Sequence, residues 1–132
     1  MKYLIFGRRG WLAQKFKDFF RDAVISKTDI TDLKSVRKEL DRKKPEVVIN
    51  TAGATGRPNI DWCEDHKLET IAANVTGPLN LLQACQERGI YWAHLSSGCV
   101  FQGGGIKKGG FKEDDPATTP SFYSWSKFWS ES

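Results

Sequence analysis

The chain has 132 residues, enough for one domain that buries its own core without disulfides or metals. Lys and Arg number 20 against 16 Asp and Glu, so the net charge is a mild +4, spread along the chain. That balance argues against a nucleic-acid partner: the densest basic stretch, residues 37–44, also holds Glu39 and Asp41 and reads as a solvated helix face. No apolar run nears the ~18 residues of a membrane span. Tyr3-Leu4-Ile5-Phe6 ahead of Arg8-Arg9 is too short for the apolar region of a signal peptide. The three cysteines, Cys63, Cys85 and Cys99, form no C-x-x-C pair, which argues against a disulfide scaffold or a cysteine zinc site, and no metal is expected. The expectation is one soluble, reduced, cytoplasmic domain with no membrane partner.

Residues 2–7 form an apolar run closed by glycine, the pattern of a buried first strand. Leu12, Phe16, Phe19 and Phe20 then share one face of an amphipathic helix. Ala23-Val24-Ile25 is a brief second strand. Leu33, Val36 and Leu40 mark a second helix, stopped before Pro45. Val47-Val48-Ile49 is a third strand, followed by a polar, glycine-bearing loop to Asp61. Leu68, Ile71 and Val75 predict a further helical face, interrupted at Pro78; Thr76 is placed to cap a new helix running to about Arg88, with Pro78 in its first turn. Residues 91–97 read as a fourth strand. Residues 102–120 hold five glycines and two prolines and read as a loop, its stretch 102–110 expected to be mobile without substrate. A last helix begins at Ser121.

Four alternations of strand and helix predict an α/β fold, a doubly wound parallel sheet of the Rossmann-type NAD(P)-binding kind. Gly7, Gly10 and Ala13 put small residues at three-residue intervals between the first strand and its helix. Gly7 permits a tight turn, Gly10 a close approach of backbone to pyrophosphate, and Ala13 close helix–strand packing. The spacing is one residue wider than G-x-G-x-x-G, and a plain turn is the alternative. Arg8-Arg9 and the Ser26-Lys27 end of the second strand suit a 2′-phosphate, which favours NADPH over NADH; solvated cations are the alternative. Asp29-Ile30 is placed to flank adenine.

Tyr123 and Lys127 are four apart at a helix start and face the same way. An ammonium beside the phenol is expected to lower its pKa from ~10, so that it can protonate an alkoxide. Ser97, after the fourth strand, is placed to hold a substrate carbonyl. His66 and His94 stand alone in the sequence and are given no chemistry.

In this order the motifs resemble the extended short-chain dehydrogenase/reductases, and within them the dTDP-4-dehydrorhamnose reductase group. Gly7-Arg8-Arg9-Gly10-Trp11-Leu12-Ala13, Asp29-Ile30-Thr31-Asp32, Ala52-Gly53-Ala54, Ala73-Asn74-Val75, Ser97-Gly98-Cys99-Val100-Phe101 and Tyr123-Ser124-Trp125-Ser126-Lys127 carry the likeness. Thr55-Gly56-Arg57-Pro58-Asn59-Ile60-Asp61-Trp62-Cys63-Glu64 is similar to the plant and giant-virus nucleotide-rhamnose synthases, bifunctional 3,5-epimerase/4-reductases. The resemblance implies NADPH-dependent conversion of a nucleotide-sugar substrate, UDP-4-keto-6-deoxyglucose, to UDP-rhamnose. It implies Tyr123 as proton donor, Lys127 as its activator and Ser97 as carbonyl partner. Gly10, Trp11, Leu12, Asp29, Ile30, Ala52, Gly53 and Ala54 would line the cofactor. Cys99 falls where related epimerase-reductases place an acid/base cysteine; a small buried residue at a strand end is the alternative. Arg57 and Asn59 would touch the sugar nucleotide or shape their loop.

Members of the family continue past the Tyr-x-x-x-Lys helix into further strands and a substrate domain. The 132 residues thus correspond to the NAD(P)-binding part, with the sheet incomplete on its C-terminal side and an exposed edge open to a second copy or a complementing chain. Two readings stand side by side: the cofactor part of an epimerase/reductase that needs the further domain for activity, and a non-enzymatic dinucleotide-binding or regulatory module.

Overall fold

The apolar runs form strands β1 (Tyr3–Phe6), β2 (Val24–Ile25), β3 (Val47–Asn50) and β4 (Tyr91–His94), all parallel, in the order β2-β1-β3-β4. The computed structural model describes residues 1–103 and 109–131. Leu4 lies opposite Val24 on one side and Val48 on the other, and Val48 opposite Trp92, so β1 and β3 are central. Both faces of the central strands are covered, which is why they are apolar without alternation.

Helix α1 (Trp11–Phe19) covers one face, where Ala13 meets Ile5, Ala23 and Ile49, with Phe16 and Phe20 at the margin. Helices α2 (Leu33–Lys43) and α5 (Gly77–Gln86) cover the other, packing Val36, Leu40, Leu81 and Ala84 onto Leu4, Phe6 and Val48. Each fully buried Leu, Val or Phe here contributes roughly 1.5–3 kcal/mol by leaving water. The expected doubly wound sheet is thus present.

Asp32 caps α2, accepting from the N–H groups of Lys34 and Ser35 at 3.0 and 3.2 Å. Lys44, left-handed at φ 47°, ends that helix before Pro45. The basic stretch is a solvated face whose ion pairs, Arg37–Glu87 at 2.5 Å and Arg88–Asp41 at 2.8 Å, join α2 to α5.

Three details differ from the pattern expected of the sequence. The segment around Pro78 does not break at a Thr76 cap. Helices α3 (Trp62–Asp65) and α4 (Lys67–Ile71) lead into a π-helical turn, Ala72–Thr76, which runs directly into α5. Thr76 is itself helical and makes no side-chain cap. The Gly77 N–H reaches Ala72 O, five residues back, so the ladder has already slipped when it meets Pro78, which has no N–H to offer. Leu68, expected on an apolar face, is 82% exposed. Finally, β4 ends at His94 rather than at residue 97: Leu95 N–H takes the last carbonyl of β3, Asn50 O, at 3.0 Å. The chain then enters a 3₁₀ turn, Gly98–Val100.

Helix α6 (Phe122–Trp129) is capped by Ser121, whose hydroxyl accepts from Ser124 N–H at 3.1 Å. The stretch expected to be mobile, 102–110, falls in part at residues 104–108, outside the described residues. Among the described residues no helix is long and apolar enough to cross a membrane.

Gly7 tests the junction of β1 and β3. Its φ is +109°, and a Cβ there would lie 2.7 Å from Ala52 N and against the Thr51 hydroxyl. Gly7→Ala is expected to remove about 3 kcal/mol or more in urea unfolding, combining backbone strain with a backbone clash. Gly89→Ala, at φ +64° with nothing within 4 Å, should cost only about 1 kcal/mol.

Candidate active site

In a sheet of order 2-1-3-4 the chain reverses its winding between β1 and β3, and the crevice outside their carboxyl ends is the natural ligand site. A cavity of about 270 Å³ lies there. Its floor is Gly7 and Gly10 on one side and Ala52 and Gly53 on the other. Gly10 is the N-cap of α1 and offers no side chain, and the first turn holds no acidic residue. The first amides of α1 therefore have no side-chain cap, in contrast to α2 and α6, and present positive charge to an anion. Ala13 is buried against the sheet, where close helix–strand packing requires a small residue.

Arg8, Arg9 and Lys27 stand on the cavity rim. Ser26 also lines the cavity, but it is buried, and its hydroxyl accepts from Thr28 N–H at 3.1 Å and donates to Glu39 at 3.3 Å. Asp29 is on the wall, its carboxylate accepting from the Thr31 N–H and hydroxyl at 2.9 and 2.8 Å. Ile30 reaches the wall, but its side chain belongs to the core. Trp11 and Leu12 lie outside the wall on the first turn of α1, with Trp11 69% exposed.

The predicted chemical group assembles beside this cavity. Lys127 is 4% exposed, and its Nζ donates to Leu95 O at 2.9 Å. A Cβ built on Gly53 would sit 3.9 Å from that Nζ, so the ammonium lies beneath the cavity wall. Burial pushes Lys127 down to about 8, with Glu131 opposing. Tyr123, 8% exposed, lies near Ser97, whose Oγ accepts from Cys99 N–H at 3.2 Å.

The expected lowering of the phenol pKa is not present. Burial holds Tyr123 above its usual value, Ser97 pulls the other way, and negative charge on the nearby Cys99 or Cys63 would add to the rise. The physical reason is that desolvation is the largest influence on the phenol and Lys127 is not among the groups acting on it. Tyr123 is therefore protonated in this structure, the state a proton donor needs.

Two residues given no chemistry from sequence hold the site together. Asn74, in the π-helical turn, donates to Ala54 O at 2.9 Å and to Ser126 Oγ at 3.0 Å, and accepts from Ala54 N–H at 2.6 Å. It thereby ties Ala54 to α6. His94, at the end of β4, contacts Asn50, Ser130 and Lys127. The π turn left no local sequence signal, and His94 is a lone histidine until β4 is placed beside α6.

Cys99 is exposed in the 3₁₀ turn, not buried at a strand end, while Cys63 and Cys85 are buried packing residues. Burial raises the Cys85 thiol to about 11. Arg57 is exposed on the loop after β3, and Asn59 shapes that loop by accepting from Asp61 N–H at 3.0 Å.

An uncapped helix start at the switch point of a parallel sheet, next to a buried Tyr–Lys pair and a serine, sits in an α/β fold of the Rossmann type. A family profile described as the RmlD substrate binding domain matches residues 1–132, and the chain belongs to that family. A bifunctional dTDP-4-dehydrorhamnose 3,5-epimerase/dTDP-4-dehydrorhamnose reductase of Arabidopsis thaliana is 40% identical over 95% of this chain and 44% of its own length. A trifunctional UDP-glucose 4,6-dehydratase/UDP-4-keto-6-deoxy-D-glucose 3,5-epimerase/UDP-4-keto-L-rhamnose-reductase of the same plant is 41% identical over 96% of this chain and 20% of its own. The crystal structure of the L780 UDP-rhamnose synthase of Acanthamoeba polyphaga mimivirus superposes with a TM-score of 0.88 at 29% identity, covering 99% of this chain and 50% of that one. The chain thus spans less than half the length of the curated relatives it matches.

Burial and the Lys127 charge push His94 down to about 4. Its folded pKa lies below the ordinary ~6.5, so the unfolded chain binds the extra proton and stability falls as pH drops from 6.5 towards 4. Glu87, Asp41 and Asp32, all lowered, lose their stabilisation only below the ordinary carboxylate range. The chain should therefore be about 1–2 kcal/mol less stable at pH 5 than at pH 7 in urea titrations. A His94→Gln variant should be nearly flat over that interval.

Proposed function

We propose that residues 1–132 are the NADPH-binding domain of a nucleotide-sugar 3,5-epimerase/4-reductase that forms UDP-rhamnose from UDP-4-keto-6-deoxyglucose. The observation that carries this reading is the position of Lys127. Its ammonium reaches beneath Gly53 on the cavity wall, while Tyr123, one helical turn away, lies near Ser97. One helix thus serves both a dinucleotide cavity and a pair of hydroxyls suited to a carbonyl oxygen.

The cavity fits the cofactor chemically. The uncapped start of α1 suits a pyrophosphate, and Arg8, Arg9 and Lys27 suit a 2′-phosphate, which favours NADPH over NADH. When bound, the nicotinamide supplies hydride to the C4 carbonyl carbon. Ser97 holds the C4 oxygen, Tyr123 gives it a proton, and Lys127 stabilises the phenolate left behind. Cys99, exposed beside Ser97, is the acid/base for epimerisation. Its thiolate takes a proton from the carbon alpha to the ketone, so that a C–H bond breaks, an S–H bond forms and the electron pair passes to the C4 oxygen. A second acid on the opposite face then gives its own proton to that carbon as the electron pair returns from the C4 oxygen, which inverts the centre and leaves the Cys99 thiol to pass on the proton it took. Arg57 and Asn59 complete the reading as contacts for the sugar nucleotide. It also includes a cytoplasmic location and association through the outer edge of β4 with a further strand.

Tryptophan fluorescence titration of the chain tests the cofactor half. NADPH is expected to bind about tenfold or more tightly than NADH. Arg8→Ala and Lys27→Ala should each weaken NADPH roughly five- to tenfold while leaving NADH nearly unchanged, the loss of one phosphate contact. Equal affinity for the two cofactors would remove the NADPH preference, and no binding by a folded chain would remove the site. Turnover tests the rest: Tyr123→Phe should keep NADPH affinity and lose about 10²–10⁴-fold in reduction of the keto sugar. Uptake of NADPH with no oxidation by that sugar would instead identify a dinucleotide-binding module.

A further inference from the structure

His94 lies in a hydrogen-bond chain that has one consistent direction. The Ala52 N–H donates to Asn50 Oδ1 at 3.0 Å, which fixes the Asn50 amide with its NH₂ turned towards His94. Asn50 Nδ2 then donates to His94 Nδ1 at 3.0 Å, so Nδ1 carries no proton. On the other side, Ser130 Oγ donates to Lys127 O at 2.6 Å and is left to accept from His94 Nε2–H at 3.0 Å. The imidazole is thereby the neutral Nε2–H tautomer, and Lys127 Nζ, 3.5 Å from Nε2, stands beside the ring without donating to it. Protonation at Nδ1 would set two donors against each other at Asn50 and put a second cation 3.5 Å from Lys127 Nζ.

The chain of bonds starts at Ala52, on the wall of the cavity, and ends at the cap of α6. We propose that His94 is the positioning residue for Lys127, pinning the last turn of α6 to the ends of β3 and β4 so that the ammonium stands beneath Gly53. An aromatic ring suits this role because it stacks on Trp92 at 5.4 Å and 8°, which fixes its plane. The charged groups around it are Lys127 and Glu131, the latter bonded to Ser96; β3 contributes the neutral Asn50 and β4 the neutral Trp92. The inference rests on the proposed cofactor role of Lys127 for its consequence, but not for its geometry.

Asn and Gln divide the imidazole between them. His94→Gln extends an amide to the position of Nε2 and keeps the link to Ser130; His94→Asn keeps an acceptor for Asn50 and loses that link. Three measurements on the 132-residue chain decide the matter. Histidine ¹⁵N NMR should show His94 as the neutral Nε2–H tautomer from pH 5.5 to 8, values taken about one unit and more above its folded pKa. The Lys127 titration, followed at ¹³Cε, should stay in place in His94→Gln and rise by roughly one unit or more in His94→Asn, as the released ammonium finds water. NADPH affinity should fall about tenfold in His94→Asn and stay within about twofold in His94→Gln.

An Nδ1–H tautomer, a protonated ring at neutral pH, or a Lys127 titration that moves equally in both variants would overturn the proposal. If the wild-type chain shows the expected tautomer and Lys127 shift but takes up no NADPH, the cofactor reading fails and the positioning role stands.

Discussion

A lysine ammonium buried at the end of a parallel sheet constrains everything around it. Lys127 is almost wholly out of water, and desolvation, opposed by Glu131, brings its pKa down to about 8. A charge in that position is tolerated only where the surroundings supply acceptors. Here the Leu95 carbonyl does so directly, because β4 stops at His94 and turns its next carbonyl towards α6. Glu131 adds an opposing charge from just beyond the helix. The early end of β4 and the placement of Lys127 are thus one feature, and lengthening the strand would take its acceptor away.

The second constraint is the approach of β1 to β3 at Gly7. With φ at +109° and the Thr51–Ala52 backbone against the place of its missing side chain, Gly7 lets the loop after β1 lie on the loop after β3. The Gly10 amide then bonds Gly7 O at 2.9 Å and starts α1 with its first turn uncapped by any side chain. Gly7 therefore acts through packing of one loop on another. The uncapped start of α1 beside the cavity is a consequence of where that packing puts the helix.

The sheet, its parallel sense and the small residues Gly7, Gly10, Ala52 and Gly53 of the cavity were legible in sequence because apolar runs and small residues report directly on burial and close approach, whereas Trp11, Leu12 and Ala54 fall outside the wall. The Tyr123–Lys127 pair was legible from helical spacing, since neighbours four apart share a face whatever they pack against. Other features depend on contacts that spacing does not encode. Ser26 has the composition of a phosphate ligand, and its hydroxyl donates to Glu39, from a helix 13 residues on. Leu68 fits an apolar periodicity yet faces solvent, because the ladder slips at Ala72–Thr76 and the face it belonged to does not continue. Asn74 and His94 take their partners from far along the chain, Asn74 from Ala54 and Ser126 and His94 from Asn50 and Ser130.

The two ionisable groups at the centre are displaced in opposite senses, and one cause accounts for both. Desolvation raises the Tyr123 phenol, whose charged form is an anion, and lowers Lys127, whose charged form is a cation. The pair is drawn towards neutrality as long as neither faces its counter-charge. Any ligand that brings hydroxyl acceptors to the Gly53 wall offers Lys127 new partners and favours its charged state. A phenolate formed at Tyr123 does the same with a full negative charge, and more strongly, because the site is already dry. The interaction is thus weakest in the resting chain and strongest when negative charge develops on the tyrosine oxygen. That difference between states, rather than a phenol lowered in advance, is how this arrangement lends itself to proton donation.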